Sequence, residues 1–485
     1  MTEAVRRVKK AENQRDALIE LKNSLKRGEI SLTDDDIKYL KSLLLSLPDP
    51  KSRKNVAQIL GESGRELCEE MIEAYEKEDT EYVKASYLYA MEEMDISSVK
   101  DKLEEMRTTL SESEVPDENK KHYDEQMGAF NELLGMAIGK HVFTGWDKSA
   151  EVILLTGKGL GQVTLDQLDT QAKRLLGIGV YAKLNEVSDI KEIRTYKELL
   201  FMIPELRRIP DDPYKAAEAV AGSELKNFLV SMHDNAEPWA YRLNVVSTMD
   251  DKKKAMFIRR FAGELQRHSD GFYVNDASDY ELEIRLLESR EGGFTPMIRL
   301  FSIKDERFAY RKEYVAASIR PDLAATLIRL SSDYLRSDIQ TIDPFCGVGT
   351  MLIERLKYSE VHPAYGVDIY GEAIKKAKEN AKLAGEKINF INRDYFDFKH
   401  KYRFDELITN MPFAVVPEDR QKIREIYRKF FEYSKKILRK DAFLIIYLRD
   451  IDSAREFSVA NGYIMEKEML ISDKEDSYLC IYRNI

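Results

Sequence analysis

The first 150 residues carry the apolar pattern of amphipathic helices. Apolar side chains recur at i, i+3 and i+4 in 17–25, 37–47 and 56–60, the spacing that places them on one helix face. Residues 49–60 are echoed 30 residues later by 79–90, and a repeat near that period is typical of stacked helix pairs. The pattern predicts an all-helical domain over 1–150, either HEAT-like or a plain bundle, with an exposed acidic loop at 111–119.

Strand patterns begin to alternate with helix patterns at Glu151. The Gly157-Lys-Gly-Leu-Gly161 segment lacks the Lys-Ser/Thr ending of a phosphate-binding loop, which favours a plain loop between a strand and a helix. The order of elements predicts a compact α+β region over 151–305. Its strands are expected at 152–156, 180–184, 241–246, 273–274 and 280–286, and its helices at 165–176 and 255–266.

Three strand-like runs in the C-terminal part each lead into residues with useful chemistry. The first run, 339–345, is followed by two glycines and then by a helical pattern. The second run, 364–369, contains Asp368, and the third, 404–409, is followed by Asn410. In an open parallel sheet, ligands bind at the carboxyl ends of the strands. These residues are therefore expected to share one site.

The turn after the first run has the features of a nucleotide-binding loop. Glycine at 347 and 349 permits positive φ and a close approach to a ligand, and the following helix presents unpaired N–H groups. Asp368 is placed to accept hydrogen bonds from ribose hydroxyls. The third glycine of the dinucleotide fingerprint and the Walker lysine are both absent, so a mononucleotide-type ligand fits better than a dinucleotide or a nucleoside triphosphate.

The sequence Asn410-Met411-Pro412-Phe413 suits activation of an aromatic amine. An exocyclic amine on guanine or adenine is a weak nucleophile because its lone pair is delocalised into the ring. The side-chain carbonyl of Asn410 and the backbone carbonyl of Met411 can accept both N–H bonds, while Pro412 fixes the local backbone. Phe413 offers a flat surface for the base. The motif follows a predicted strand and lies beside the glycine turn, which favours a role in amine activation over a plain strand-ending turn.

Several C-terminal motifs resemble class I S-adenosylmethionine-dependent methyltransferases, specifically the THUMP-associated RNA guanine-N2 methyltransferases. The resemblance is closest over 310–485 and absent before 150. It is weaker over 150–300, where an unrelated α/β spacer is the alternative. It implies an α/β Rossmann-like seven-stranded methyltransferase domain over 306–485, a ferredoxin-like plus THUMP-like RNA-binding region over 151–305, and tRNA or rRNA as partner. The motifs are Asp343-Pro-Phe-Cys-Gly-Val-Gly-Thr350, Gly366-Val-Asp-Ile369, Asp394, Asn410-Met-Pro-Phe413 and the stretch from Tyr310-Arg-Lys312 to Arg320-Pro-Asp-Leu-Ala324.

The resemblance also implies S-adenosylmethionine as cofactor and a set of residues that hold it. Asp343 and the glycine loop would surround the methionine part, Asp368 the ribose and Asp394 the adenine amino group. Tyr395, Phe396 and Phe398 either flank the adenine or pack in the sheet. The full cofactor set is Asp343, Pro344, Phe345, Cys346, Gly347, Gly349, Thr350, Asp368, Ile369, Asp394, Tyr395 and Asn410, and the catalytic set is Asn410, Met411, Pro412 and Phe413.

Two departures from that family leave alternatives open. Met411 stands where the family usually has the first of two prolines, and methionine can substitute because the position works through its carbonyl. Forms with an apolar residue there resemble RNA adenine-N6 dimethyltransferases. Ala414-Val415-Val416 replaces the small polar residues expected next. Beside guanine-N2 methylation, the alternatives are adenine-N6 methylation of RNA or DNA, methylation of a protein glutamine, and a catalytically silent fold that binds RNA or protein.

Composition and charge limit the partners. The 485 residues, 43% of them apolar, provide cores for two to four domains. Residues 1–150 contain 23 Lys and Arg against 32 Asp and Glu, so they hold −9 of the total net charge of −10. The acidic helical domain could dock a protein partner. The basic clusters at 252–254, 259–260 and 422–440 either contact phosphates or form solvated helix faces, and RNA binding is expected to be salt-sensitive.

Cysteine usage and the N-terminal sequence predict a cytoplasmic protein. Cys68, Cys346 and Cys480 are widely separated, and neither they nor the histidines have a spacing that indicates a metal site. The chain starts polar and charged, and it has no run of about 18 uncharged apolar residues, which argues against a signal peptide and a membrane span.

Overall fold

The computed structural model describes residues 1–11, 13–112, 119–134, 140–236, 238–276, 279–315, 318–414 and 416–485. The chain divides into two compact units. Unit 1 comprises Met1–Phe143 and Ile203–Ser302, and unit 2 comprises Thr144–Met202 and Ile303–Ile485.

The helices and strands follow one another in chain order. In the N-terminal region they are α1 (Glu3–Lys10), α2 (Gln14–Lys26), α3 (Asp34–Ser46), α4 (Pro50–Gly61), α5 (Cys68–Lys77), α6 (Glu81–Tyr89), α7 (Lys100–Glu112) and α8 (Lys120–Leu133). The middle region holds β1 (Ala150–Leu155), α9 (Gly161–Leu165), β2 (Lys173–Leu176), β3 (Gly179–Leu184), β4 (Glu198–Met202), α10 (Pro213–Ala221), α11 (Leu225–Met232), β5 (Trp239–Val246), α12 (Asp251–His268), β6 (Tyr273–Asn275), β7 (Leu282–Glu288) and β8 (Phe294–Leu300). The C-terminal region holds α13 (Pro321–Leu330), β9 (Thr341–Asp343), α14 (Thr350–Tyr358), β10 (Ala364–Asp368), α15 (Gly371–Ala384), β11 (Ile388–Asn392), β12 (Phe404–Asn410), α16 (Arg420–Ile437), β13 (Leu438–Leu448), α17 (Ile451–Ala460), β14 (Tyr463–Ser472) and β15 (Ser477–Asn484).

The N-terminal helices of unit 1 pack as successive pairs. Each odd-numbered helix contacts the even-numbered helix that follows it, and the even-numbered helices α2, α4, α6 and α8 contact one another in chain order. The 30-residue echo in the sequence falls on α4 and α6, which occupy equivalent places in neighbouring pairs. This packing agrees with stacked helix pairs, while the HEAT-like assignment stays a prediction. The acidic loop predicted at 111–119 lies largely in 113–118, outside the described residues.

The rest of unit 1 is a sheet with helices. Its strands run in the order β8-β7-β5-β6, with β5 parallel to both neighbours and β7 antiparallel to β8. Helix α12 packs on β5, β6 and α10 through its apolar face, which includes Phe257, Phe261 and Leu265.

In unit 2, residues 144–202 form a small antiparallel sheet in the order β2-β3-β1-β4. The helix predicted at 165–176 is wrong, because α9 ends at Leu165 and Lys173–Leu176 is strand β2, paired with β3. Gly179 explains the difference. A Cβ at this position would lie 2.1 Å from the Leu154 carbonyl oxygen, so glycine lets the hairpin pack closely on β1 and the apolar residues of 173–176 pair as a strand.

This small sheet belongs with the C-terminal domain. The Arg194 guanidinium makes two hydrogen bonds of 2.8 Å to Glu354 on α14, and the Tyr310 hydroxyl donates to the same carboxylate at 2.7 Å. Arg307 donates to the carbonyls of Ile193 and Tyr196 at 3.1 Å. The predicted single region over 151–305 is therefore divided between the two units near residue 202.

The C-terminal part of unit 2 is built on the expected seven-stranded sheet. The strand order is β11-β10-β9-β12-β13-β15-β14, in which β9 to β13 are parallel and β15 is antiparallel to both neighbours. The carboxyl ends of β9, β10 and β12 consequently meet at one edge. Among the described residues, no helix combines the length and the apolarity needed to cross a lipid bilayer.

Candidate functional site

The glycine loop joins β9 to α14 in a conformation that glycine favours. Gly347 has φ +51° and Gly349 has φ +83°, both in the left-handed region. A Cβ at Gly349 would lie 3.0 Å from Cζ of Phe390. Helix α14 starts directly after Gly349 without a side-chain cap, so its first-turn N–H groups are available to a ligand.

Asp368 ties the end of β10 to this loop. One carboxylate oxygen accepts the Gly347 N–H at 2.8 Å, and the other accepts the Tyr370 N–H at 2.8 Å. Each carboxylate oxygen has a second lone pair. The carboxylate is thus held in place and can still accept hydrogen bonds from a ligand.

Asp343 links the loop to the strand that carries Asn410. Its Oδ1 atom accepts the Phe345 N–H at 3.0 Å and the Thr409 hydroxyl at 2.6 Å, and Thr409 immediately precedes Asn410. The side chain is 1% exposed. Burial, together with the charge of Asp368, raises the pKa of Asp343 to about 7.

Asn410 ends β12 with its side chain partly exposed. Among the described residues, none makes a hydrogen bond to its side-chain amide or to the carbonyl of Met411. Met411 points its side chain into the core and donates its N–H to the Tyr447 carbonyl at 2.8 Å. Phe413 is half-buried two residues later, with the Arg449 guanidinium 4.0 Å from its ring centroid. The two carbonyl groups expected to bind an amine are therefore both without a hydrogen bond within the described part of the chain.

The residues predicted around the adenine differ in exposure. Ile369 is 59% exposed beside Asp368, and Asp394 accepts the Phe396 N–H at 2.9 Å. Tyr395 lies in the core with its hydroxyl 2.8 Å from the Ser434 hydroxyl. Any contact from Tyr395 to a cofactor must therefore come from its backbone, and Phe398 is also buried in this core.

Three residues that the motifs did not include help to build the site. The Thr409 hydroxyl donates to Asp343, and the Arg449 guanidinium lies over the Phe413 ring. Asn380 on α15 is buried and donates to the carbonyls of Val348 at 3.2 Å and Glu313 at 2.9 Å. The sequence signal for Asn380 is a polar residue on the buried face of an amphipathic helix, next to Ala377 and Ala381.

The raised pKa of Asp343 predicts a pH dependence of stability. Its value of about 7 in the folded protein exceeds the ordinary 3.8, so the folded protein binds the proton more tightly than the unfolded chain. Stability should therefore fall as pH rises from about 4 to 7, by roughly 1.4 kcal/mol per unit at most, and level off above pH 7. Thermal unfolding of the ligand-free protein between pH 5 and 8 measures this.

Asp343→Asn is the matched control, because it keeps the Oδ1 acceptor for Thr409 and Phe345 and removes the titration. The melting temperature of the wild type, taken relative to that of D343N, should decrease with rising pH. Parallel curves for the two proteins would show that Asp343 does not titrate in this range.

The site fits an adenosyl cofactor that carries a positive charge. The Thr350 hydroxyl is buried without a hydrogen-bond partner among the described residues, at the start of the uncapped helix. The Asp368 carboxylate complements a sulfonium charge, and a bound cation would also favour the charged form of Asp343. The Gly347 and Gly349 backbone leaves room that side chains would fill.

Residues 309–469, which contain the site, are similar to a known protein family. Residues 309–469 match the UPF0020 family model, described as an RMKL-like methyltransferase domain. A segment of 90 residues is 33% identical to the uncharacterized protein MG259 of Mycoplasma genitalium, and it spans 18% of this chain and 20% of that protein.

Solved structures share the fold over a longer part of the chain. TrmN from Thermus thermophilus has a TM-score of 0.54 at 17% identity, over 69% of this chain and 99% of that one. A predicted N6-adenine-specific DNA methylase from Listeria monocytogenes has a TM-score of 0.53 at 17% identity, over 69% and 96%. SMU.472, complexed with SAH, has a TM-score of 0.50 at 16% identity, over 69% and 98%. Residues 309–469 therefore form a methyltransferase domain of the class I fold, of the kind that the UPF0020 model describes.

Proposed function

We propose that this protein methylates an exocyclic amine of a nucleic-acid base, first of all N2 of guanine in tRNA or rRNA. The observation that carries the proposal is that the carbonyl groups of Asn410 and Met411, at the end of β12, accept no hydrogen bond from any residue that the structure describes. They follow Thr409, whose hydroxyl is bonded to Asp343 of the cofactor loop, and they precede a half-buried aromatic ring.

The residues of this chain would supply orientation and electrostatics. When bound, the cofactor supplies an electrophilic methyl group on a sulfonium. The Asn410 and Met411 carbonyls accept the two amine N–H bonds and localise the nitrogen lone pair, while the base stacks on Phe413. Asn410 and Met411 would thereby hold the amine nitrogen with its lone pair directed at the methyl group that the bound cofactor would supply. The amine then loses a proton to solvent.

Adenine N6 is the second candidate. Met411 in place of proline favours it, and one structure that shares the fold is described as a predicted N6-adenine-specific DNA methylase. Both amines present two N–H bonds in the plane of a flat ring, so the same carbonyl pair serves either. The choice depends on the base pocket.

Transfer of labelled methyl groups tests the proposal. Purified protein and labelled S-adenosylmethionine are incubated with total tRNA, rRNA and DNA, and the products are digested to nucleosides. N2-methylguanosine supports the first candidate and N6-methyladenosine the second. Absence of label in all three, with cofactor binding intact by calorimetry, would identify a catalytically silent fold.

The RNA-binding face is proposed on α12 rather than on α16. Lys252 and Lys253 are exposed at the start of α12, in the region predicted to be THUMP-like, and Lys253 pairs with a single carboxylate, that of Asp250 at 3.4 Å. On α16 the Arg428 guanidinium is paired with Glu425 and Glu432, as on a solvated helix face. We assign the phosphate contacts to α12 and keep the acidic helical region as the proposed surface for a protein partner.

Gly349→Ala should weaken both folding and cofactor binding. The φ of +83° costs a residue with a Cβ about 1–2 kcal/mol, and the Cβ lies 3.0 Å from Phe390. Gly385→Ala is the control, because Gly385 has φ +75° and nothing within 4 Å of its Cβ. Calorimetry should show about tenfold weaker cofactor binding for G349A only. Equal cofactor affinity in both variants would mean that the loop tolerates a side chain.

A further inference from the structure

Arg449 lies just beyond the carboxyl end of β13, next to the strand that ends in Asn410. In the strand register Asn410 is opposite Tyr447, and the Met411 N–H donates to the Tyr447 carbonyl. Phe413 and Arg449 each follow two residues after that hydrogen bond. The strand register therefore brings an arginine beside the aromatic residue of the motif.

The Arg449 guanidinium contacts both an aromatic ring and a carboxylate. Its central carbon lies 4.0 Å from the centroid of the Phe413 ring, over the ring. A planar cation at this distance is attracted by the ring quadrupole. Its Nη2 also donates to Oε2 of Glu475 at 2.7 Å. The Arg449 side chain is 36% exposed, so this contact lies at the rim of the site.

This geometry restricts how a base can stack on Phe413. Because the guanidinium lies over one face of the ring, a base that stacks on Phe413 has to use the opposite face. The contact also limits rotation of the half-buried ring. Lysine could not do the same, because its ammonium is a point charge without a plane.

We propose that Arg449 is a positioning residue for the substrate base. It fixes the plane of Phe413, and the base stacks on the opposite face of the ring with its amine directed at Asn410. Glu475 orients the guanidinium for this contact. The inference rests on the proposed function and names a residue, outside the motifs, that sets the base geometry.

A coupling experiment tests this role in the full-length protein. The variants are R449K, R449Q, F413L and the double variant R449Q/F413L, with R455Q as control because Arg455 is paired with Glu468. One readout is kcat and KM on the RNA that the wild type methylates. The other is the fluorescence of a single-stranded RNA with 2-aminopurine at one position, bound to protein saturated with S-adenosylhomocysteine.

R449Q and R449K should each lower kcat about tenfold and reduce the quenching of 2-aminopurine, with cofactor affinity unchanged. KM for RNA should change by less than about threefold in R449K, because its charge is kept. In the F413L background, R449Q should add less than about twofold. R455Q should behave as the wild type.

Two results would overturn the inference. One is an equal effect of R449Q in the wild-type and F413L backgrounds, and the other is full activity of R449K. These differ from failure of the proposed function, which would appear as a wild type that methylates neither RNA nor DNA. In that case, the quenching of 2-aminopurine still reports whether Arg449 acts through Phe413.

Discussion

Asn410→Ala should reduce methyl transfer by about 10²–10³-fold and leave cofactor binding nearly unchanged. The side-chain carbonyl of Asn410 has no partner among the described residues, so its hydrogen-bonding capacity is free for the substrate amine. Removing one preorganised dipole of this kind from a catalytic site costs about 3–4 kcal/mol at the transition state. Single-turnover transfer at saturating cofactor measures the chemical step directly.

Folding stability separates this role from a structural one. Because the Asn410 side chain bonds no described residue, N410A should melt within a few degrees of the wild type. Asp368→Ala should show the reverse pattern. Its carboxylate fixes the Gly347 and Tyr370 N–H groups, so D368A should lose cofactor affinity, while saturating cofactor restores part of the rate. An N410A protein that loses cofactor binding or unfolds would show that Asn410 serves the scaffold.

The sequence was sufficient to place the residues that end parallel strands. Asp343, Asp368 and Asn410 lie at one edge of the sheet because each follows a buried β-run, and parallel strands bring their carboxyl ends together. The glycine loop could also be predicted, because its two glycines directly follow such a β-run. The structure gives the reason for glycine at position 349, since its positive φ and its close packing on Phe390 leave few other residue types.

Contacts that depend on strand register or on packing between elements could not be predicted from the sequence. Arg449 meets Phe413 only because Met411 is hydrogen-bonded to Tyr447, a pairing across more than 30 residues of chain. Tyr395 was expected near the adenine, yet burial of its side chain depends on α16 packing over it. The apolar spacing at 165–176 indicated a helix. In the structure, residues 173–176 form a strand instead, because Gly179 allows a close approach to β1.

Glu406→Ala should destabilise the methyltransferase domain by about 3–5 kcal/mol. Glu406 on β12 is buried and accepts hydrogen bonds from Arg355 Nε at 2.9 Å and Nη2 at 3.0 Å, and from the Thr341 hydroxyl at 2.9 Å. Arg355 is also buried, on the helix that follows the glycine loop. Without the carboxylate, its charge would keep only the Ser359 hydroxyl and the Ser359 and Arg336 carbonyls as partners. A buried charge left unpaired in this way is far costlier than a lost surface pair.

Calorimetric unfolding with and without S-adenosylhomocysteine measures the effect, because the transition that the ligand raises belongs to the methyltransferase domain. Arg455→Met is the control. It removes a half-exposed ion pair with Glu468 and should leave the unfolding transition nearly unchanged. The double variant R355M/E406M should recover most of the loss, because it leaves no unpaired charge. If the double variant is as unstable as E406A, the cost comes from lost packing between α14 and β12 and not from the stranded guanidinium.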